Sequence, residues 1–525
     1  MTTFRNHLTQ TDNFIYTCEL VPGRGHRGKS VQRIERFVEE SVHDHRIAAL
    51  SITDNAGGNP ALSADVLGPE IIEGGLDVIV HFAAKDLNRN FMESRAFALQ
   101  RAGVQNLLVM TGDYPISGYR GLAKPVFDVG SVSALEYLQD MNEGLYLGGT
   151  KRDIVLEPTD LYLGAVVSPF KWGEENLVTQ YYKLEKKLDA GAQYIISQLG
   201  YDAKKLKELA LVMKHLFDTR VPLLGSVYLL SRVPARMMNA GRIPGCYVPG
   251  SLLETIEAEA SGPGRGKDAA ITRAAKIISI MRGLGFRGAH IEGPALKYKD
   301  VVRVIEESEA EAENWEEHYR EFTYAPENPY YFFDEESVLA EGKIEEDRAP
   351  VPVHEKRKPV FSPVFWSTRL LHRLIFTPKT PGYMLFKEII GFMRKRPALH
   401  ALLDLFERVT KKPLFDCQLC GDCALFETFY VCPESKCPKG MRIGPCGGSK
   451  VDGNCEVFEN QKCIWYTIYR RAKNRRSCDR LRYRIPPRNW DLHRTNAWVN
   501  YFFGNDHVAW KEYPKTPDTL SGQCE

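Results

Sequence analysis

Cysteine is scarce over most of this sequence. Of twelve in 525 residues, eight fall between positions 417 and 463, which leaves Cys18, Cys246, Cys478 and Cys524 scattered as isolated thiols. That distribution excludes the disulfide framework of a small secreted scaffold. An excess of one charge is also missing: 69 basic residues against 67 acidic ones leave a formal +2, so nothing pulls the whole molecule toward nucleic acid, a membrane or acidic partners. No window offers about eighteen uninterrupted apolar residues, and MTTFRNHLTQTDNF lacks the basic start and apolar stretch of a secretory signal. These absences predict a cytoplasmic protein that does not bind membranes. In a reducing compartment, thiols gathered in one place serve a metal or an iron–sulfur cluster rather than bridges.

What is present is ordinary globular material, 43% hydrophobic and 26% charged, in a chain long enough for two or three domains. Eight short apolar runs alternate with amphipathic stretches: FIYTCEL (14–20), AALSIT (48–53), DVIVHFA (77–83), NLLVMT (106–111), YLGAVV (162–167), YIISQL (194–199), VPLLGSVYL (221–229) and GAHIEG (288–293). Most intervening helical patterns end in glycine, as a helix C-cap does. Eight strand and helix units predict an α/β fold, a (β/α)8 TIM barrel over residues 1–310, with reactive groups at the C-terminal ends of its strands. A doubly wound sheet is the rival. GRGHRG (23–28), followed by Asp54 at the end of the next strand, imitates its dinucleotide fingerprint. Three basic residues in that loop and six further units speak instead for a flexible barrel loop.

The ends of the first six strands carry Glu19, then Thr53 with Asp54 and Asn55, His81 with Lys85, Asp113, Ser168 and Gln198. In a barrel these converge on one mouth. They include a potential proton donor (Glu19), a second carboxylate (Asp113), and amide and hydroxyl groups suited to the edge of a planar heterocycle, with no paired His–Asp metal cage and no Ser–His–Asp set.

CELVPGRG, LSITDNAGGNP, VHFAAKD, VMTGDYP, KKLDAGAQYIISQ and NAGRIPG resemble, in the same order, the motifs of the methylenetetrahydrofolate reductase barrel across most of residues 14–293. The resemblance implies a flavin, FAD or FMN, and methylenetetrahydrofolate or methyltetrahydrofolate as ligand. It implies Glu19 as proton donor, Asp113 between flavin and pterin, and Gln198 on the folate. Flavin contacts fall at Thr53, His81, Met110, Thr111, Gly112, Asp113, Lys186 and Lys187. The sequence departs from the family pattern at Leu20 to Gly23, at Thr111, where an arginine is common, and at Lys186, again in place of arginine.

Residues 311–358, acidic and then proline-rich, read as a linker, and residues 359–525 as a smaller, mostly helical, cysteine-rich metal-binding domain. Its first helices alternate apolar and basic positions, a stripe expected to be the packed face of a domain. Then Cys417, Cys420, Cys423, Cys432, Cys437, Cys446, Cys455 and Cys463 follow the spacing C-x2-C-x2-C-x8-C-P-x3-C-P-x7-C-x8-C-x7-C. A C-x2-C-x2-C triplet reaches three corners of a cubane, and a later Cys-Pro accompanies the fourth ligand. The middle thiol is surplus to tetrahedral zinc, so the pattern favours one or two 4Fe–4S clusters, or one cluster plus zinc. CGDCAL, CPK, GPCGGS and CIWYTIYRRAK resemble the MetV-type C-terminal domain found beside or fused to methylenetetrahydrofolate reductases, which implies electron transfer or coupling to a partner protein; NAD(P)H is the other candidate donor. The basic run RRAKNRRSCDRLRYR (470–484) has few aromatic platforms, which argues against nucleic acid and for a solvated face or a dock for acid. A homo-oligomer is compatible with all of this.

Overall fold

All eight apolar runs form strands: β1 (Ile15–Leu20), β2 (Ile47–Ile52), β3 (Val78–Ala83), β4 (Asn106–Met110), β5 (Tyr162–Val167), β6 (Tyr194–Ser197), β7 (Leu223–Tyr228) and β8 (Gly288–Glu292). The structure, a computed structural model, describes residues 3–148, 154–293, 295–334, 336–337, 350–353 and 362–509. Neighbouring strands pair in parallel, and β1 pairs with both β2 and β8, so the sheet closes into a barrel without an edge. Such strands are covered on both faces and need no polar alternation. β3, VIVHFA, is buried at every position.

Closure rules out the doubly wound sheet, and Asp54 shows why its imitation failed. Its carboxylate takes a hydrogen bond from the buried Arg95 at 2.6 Å and another from the Ala83 backbone N–H at 3.3 Å, so it braces strand ends rather than awaiting a ribose.

Helix α1 (Phe4–Gln10) plugs the barrel floor. Phe4 packs edge-on against Tyr162 and Tyr194, with centroids 6.2 and 5.2 Å apart. Gly164 on β5 must be bare there, since a Cβ would sit 2.1 Å from the Tyr194 ring. Among the outer helices, α2 (Glu174–Asp189) and α3 (Ala203–Leu211) face the rest of the chain. Lys205 and Glu208 of α3 pair at 3.0 Å with no solvent exposure; Lys205 also donates to the Tyr330 carbonyl at 2.7 Å, and Glu208 accepts from the Phe332 N–H. A buried pair needs such extra hydrogen bonds to offset its desolvation. They hold residues 330–333, within the stretch expected as a linker, against the barrel. Much of the remainder of that stretch lies outside the described residues.

The C-terminal region begins with α4 (Pro363–Ile375), α5 (Pro381–Arg394) and α6 (Pro397–Phe415), each with proline in its first turn, where a missing N–H costs nothing. After the cysteines come α7 (Ile464–Lys473) and α8 (Ala497–Phe503). The stripe expected to be packed is only half so. Ile390 and Leu403 close on Val499 and Phe502, while Leu370, Leu374, Met384, Leu385, Phe406 and Val409 stay exposed. These helices are apolar on two sides, and the short α8 covers only one. The basic run 470–484 finds its acid inside the chain: Lys473 pairs with Glu174 at 2.5 Å, Arg484 with Glu136 at 2.8 Å, and Arg482 with Glu185. Among the described residues, no helix is long and apolar enough to cross a membrane.

Candidate functional site

The strand register brings the expected polar residues to one end of the barrel. Glu19 is the fifth residue of β1, Thr53 follows β2, His81 lies within β3, Met110 ends β4, Thr111, Gly112 and Asp113 follow it, and Gln198 follows β6. The loops after β2 and β4 close on each other. The Gly57 N–H donates to Asp113 Oδ2 at 2.8 Å, and the Ile116 N–H donates to the Gly58 carbonyl at 3.1 Å. Gly58 has φ of +72° and a Cβ would lie 2.1 Å from the Tyr114 carbonyl oxygen, so both its conformation and its surroundings demand glycine. The loops thereby fix Asp113 at the mouth.

Two residues outside the expected set complete the centre. His290 and Glu292 come from β8; a ring nitrogen of His290 joins the ligand atoms of Glu19 and His81, and Glu292 lies 3.9 Å from His290 Nε2. Glu19, His81 and His290 each bring one such atom within 4.8 Å of the others. That spacing suits a single cation, yet each imidazole already spends a nitrogen on a hydroxyl: His81 Nε2 with Ser51 Oγ and His290 Nδ1 with Thr17 Oγ1, both at 2.8 Å. Burial pushes His81 down to about 3, helped by His290 and Arg95, and burial pushes His290 down to about 4. Both are neutral at physiological pH. Burial raises Glu19 well above the ordinary carboxyl range, the neighbouring Glu292 raises it further, and Asp113 adds to both. Burial brings Glu292 itself up to about 7 against a hydrogen bond from Ser226. The strand GAHIEG held the missed signal, since His290 and Glu292 are two apart and therefore share a face.

This mouth is built to hold a proton on a carboxyl group. Thr53 Oγ1 and Ser168 Oγ are buried there without a hydrogen-bond partner among the described residues, and such hydroxyls normally have one. They fit the polar edge of a bound heterocycle. Gln198 accepts the Leu199 N–H at 2.9 Å, and its amide nitrogen faces the loop at Gly245, part of a cleft of about 340 Å³ between Trp172, residues 239–247 and residues 448–456.

The cleft's second wall belongs to the cysteine module, which is fastened to the barrel rim by buried lysines. Lys171 donates to the carbonyls of Gly447 and Ser449 at 2.6 and 2.7 Å, Lys183 to Pro445 at 2.9 Å and Lys186 to Ile443 at 2.8 Å. Lys187 turns instead to the Val166 carbonyl of β5. Burial depresses Lys183 to about 8 and Lys186 to about 7. From the other side, Lys439 reaches the Gly112 carbonyl at 2.9 Å and pairs with Glu456 at 2.5 Å. Burial opposes its charge, but Cys446 and Glu456 raise it above the ordinary range.

The eight clustered cysteines divide into two quartets. Cys417, Cys420, Cys423 and Cys432 surround one small cavity beside Phe415 and Asp422. Cys437, Cys446, Cys455 and Cys463 surround another beside Lys439 and Trp465, on the barrel side. Each has a cation at hand. Lys411 Nζ lies 3.9 Å from Cys423 Sγ, and burial raises Cys446 while Lys439 and Lys183 work against that rise. Metal and cluster ligands must be thiolates, so four-cysteine sets with neighbouring ammonium groups fit such a group. Asp422, inside the first quartet's loop, anchors the chain beyond: burial works against its charge, but the His507 hydrogen bond (2.5 Å) and Arg442 (3.1 Å) hold it low, and His507 rises to about 9.

Two family models match separate parts of the chain. Residues 397–491 match the family described as Methylene-tetrahydrofolate reductase C terminal, and residues 3–308 the one described as Methylenetetrahydrofolate reductase. No curated protein matches. Similar solved structures include an uncharacterized protein from Clostridium thermocellum that binds two copies of 5-methyl-5,6,7,8-tetrahydrofolic acid (13% identity, TM-score 0.42, covering 59% of this chain and 99% of that one). Two others are Yersinia pestis DHPS with a pterine–sulfa conjugate (10%, 0.32, 57% and 95%) and oxaloacetate acetylhydrolase (13%, 0.32, 59% and 86%). With the longer match alone spanning more than half its length, this chain belongs to the methylenetetrahydrofolate reductase family.

Proposed function

We propose that the barrel mouth interconverts 5,10-methylenetetrahydrofolate and 5-methyltetrahydrofolate with a bound flavin, and that the cysteine module carries iron–sulfur clusters, or a cluster and zinc, coupling that site to an electron donor. The observation that carries this reading is Glu19: a carboxyl group at a strand end, raised well above its ordinary range by burial, by Glu292 and by Asp113. Opening the five-membered ring requires a proton at the departing nitrogen, and a neutral Glu19 supplies it near neutral pH. Asp113, held by the Gly57 N–H, and Gln198, beside the cleft, orient the pterin. Thr53, His81 and the run Met110 to Asp113 line the flavin side. A reduced flavin, when bound, supplies the hydride that the opened substrate accepts. Lys186 and Lys187, with their ammonium groups on the Ile443 and Val166 carbonyls, are assigned to holding the module and strand in place.

The second quartet lies toward the barrel, which is the side a relay between donor and flavin would use. The test is the cofactor inventory of anaerobically purified protein. Flavin near one per chain with about four or eight irons supports the reading. Zinc without iron removes the relay and leaves a structural module. Protein that neither contains nor takes up flavin overturns the proposal.

A further inference from the structure

Helices α5 and α6 each carry two apolar stripes, and the chain uses one of them. Inward, Ile390 of α5 and Leu403 of α6 close on Val499 and Phe502 of α8, with Tyr383, Phe386 and Met393 packed around them. Outward, α5 turns Met384, Leu385, Ile389 and Phe392 to solvent, at a spacing that keeps them on one side of the helix. Leu370, Leu371 and Leu374 do the same on α4, and Leu402, Leu405 and Val409 on α6. Leu370, Leu385 and Val409 are 61%, 59% and 60% exposed, so these are not the edges of a core. The helices pack in chain order, α5 against both α4 and α6, and the stripes therefore lie on adjoining elements. Exposed apolar surface of this extent marks a face that another body covers.

The same stretch is strongly basic. Residues 363–415 hold ten lysines and arginines against three acidic residues, while the rest of the chain carries more acid than base. The whole-chain balance of +2, which gives no reason to expect a membrane, averages over that unevenness. One of the ten, Lys411, is spent on the buried Glu407 at 2.6 Å. Arg373, Lys379, Arg394, Lys395, Arg396 and Arg408 are exposed, and three of them stand together where α5 gives way to α6. Two copies of this face joined about a two-fold axis would set these cations against their own counterparts, which opposes a symmetric dimer. Apart from Phe392, the outward side chains named above are Leu, Ile, Met and Val. Such aliphatic groups are poor anchors at protein interfaces, where Trp, Tyr and Arg dominate, but they sink readily among acyl chains. Helices with an apolar face and cations beside it lie on anionic bilayers without having to cross them.

We infer that helices α4 to α6 form a platform that docks the protein on an anionic lipid surface, with the outward stripes at the boundary of headgroups and acyl chains and the neighbouring cations against lipid phosphates. Apolar burial and electrostatic attraction add in this contact. A zwitterionic membrane lacks the second of them, and salt screens it.

The experiment floats the full chain with zwitterionic vesicles and, separately, with vesicles that contain phosphatidylglycerol. Capture by the anionic vesicles alone is expected, weakening as salt is raised. Each cation at an anionic surface is worth about fivefold in partitioning, so Lys379→Gln/Lys395→Gln is expected to weaken capture about twentyfold. Leu374→Ser/Leu385→Ser, which removes apolar surface and no charge, is expected to weaken it about tenfold or more. All four side chains are exposed, and a thermal midpoint equal to the parent's shows that the variants fold. Equal capture by both kinds of vesicle, no capture by the anionic ones, or capture unchanged in either double variant overturns the docking surface. A dimer that Leu374→Ser/Leu385→Ser dissolves overturns it in favour of a second copy, and cross-linking of an acidic protein through this face without vesicle capture overturns it in favour of a protein partner.

Discussion

The barrel mouth and the cysteine module both bury ionisable groups, and they surround them with opposite kinds of neighbour. In the mouth, Glu19 and Glu292 face each other and Asp113, flanked by two neutral imidazoles, and are driven toward the protonated form. In the module, the acidic groups meet cations: Lys411 stands beside Cys423, Lys439 beside Cys446 and Glu456, Arg442 and His507 beside Asp422. One region keeps protons on its carboxyl groups. The other holds Asp422 in its charged form and sets ammonium groups beside thiols that burial raises, which lowers the cost of the thiolates that a metal or cluster takes as ligands.

The contrast breaks most severely if the module does not depend on its thiolates. Cys446→Ser, which removes one ligand from the barrel-side quartet, is expected to abolish metal retention at that quartet, read by metal analysis of the anaerobically purified variant; full metal content would show that the quartet is not a ligand set. Next in size, Lys439→Met strips the cation from a buried pair and leaves Glu456 and the Gly112 carbonyl facing apolar atoms. Breaking a buried pair from one side costs about 3–5 kcal/mol, to be read as a lower denaturant midpoint.

Glu292→Gln sharpens the comparison from the barrel side. Glu292 raises Glu19, so its neutralisation moves the alkaline limb of the pH–rate profile to lower pH. It also changes stability. With its pKa raised from 4.5 to about 7, Glu292 binds more proton in the folded than in the unfolded state across that window. Stability therefore falls as pH rises through it, and the variant, followed by thermal unfolding from acid to neutral pH, loses that part of the fall. The smallest effect belongs to Arg484→Ala, which removes a partly exposed pair with Glu136 and costs about 1 kcal/mol or less.

The barrel was legible because each of its signals is local. A buried parallel strand is an apolar run, a helix ends in glycine, and a residue at a strand's C-terminal end reaches the mouth wherever its neighbours lie, which is how Glu19 and Gln198 could be located. His290 and Glu292 are equally local, but they sit on the eighth strand, beyond the six whose C-terminal ends supplied the expected site. The lysine clamps were not legible, because Lys171, Lys183 and Lys186 meet carbonyls more than 250 positions away and no periodicity encodes that pairing. The triplet with Cys432 followed its spacing into one quartet. Helices α4 to α6 misled, since their amphipathic pattern says that one face is apolar and not whether anything in the chain covers it.

The central claim is that Glu19 carries the proton that opens the folate ring. The most direct measurement is turnover of methylenetetrahydrofolate by Glu19→Gln protein set beside its flavin content. The account predicts flavin retained as in the parent and turnover reduced about 10² to 10⁴-fold, the usual worth of a general acid. Turnover equal to the parent at equal flavin content would contradict it.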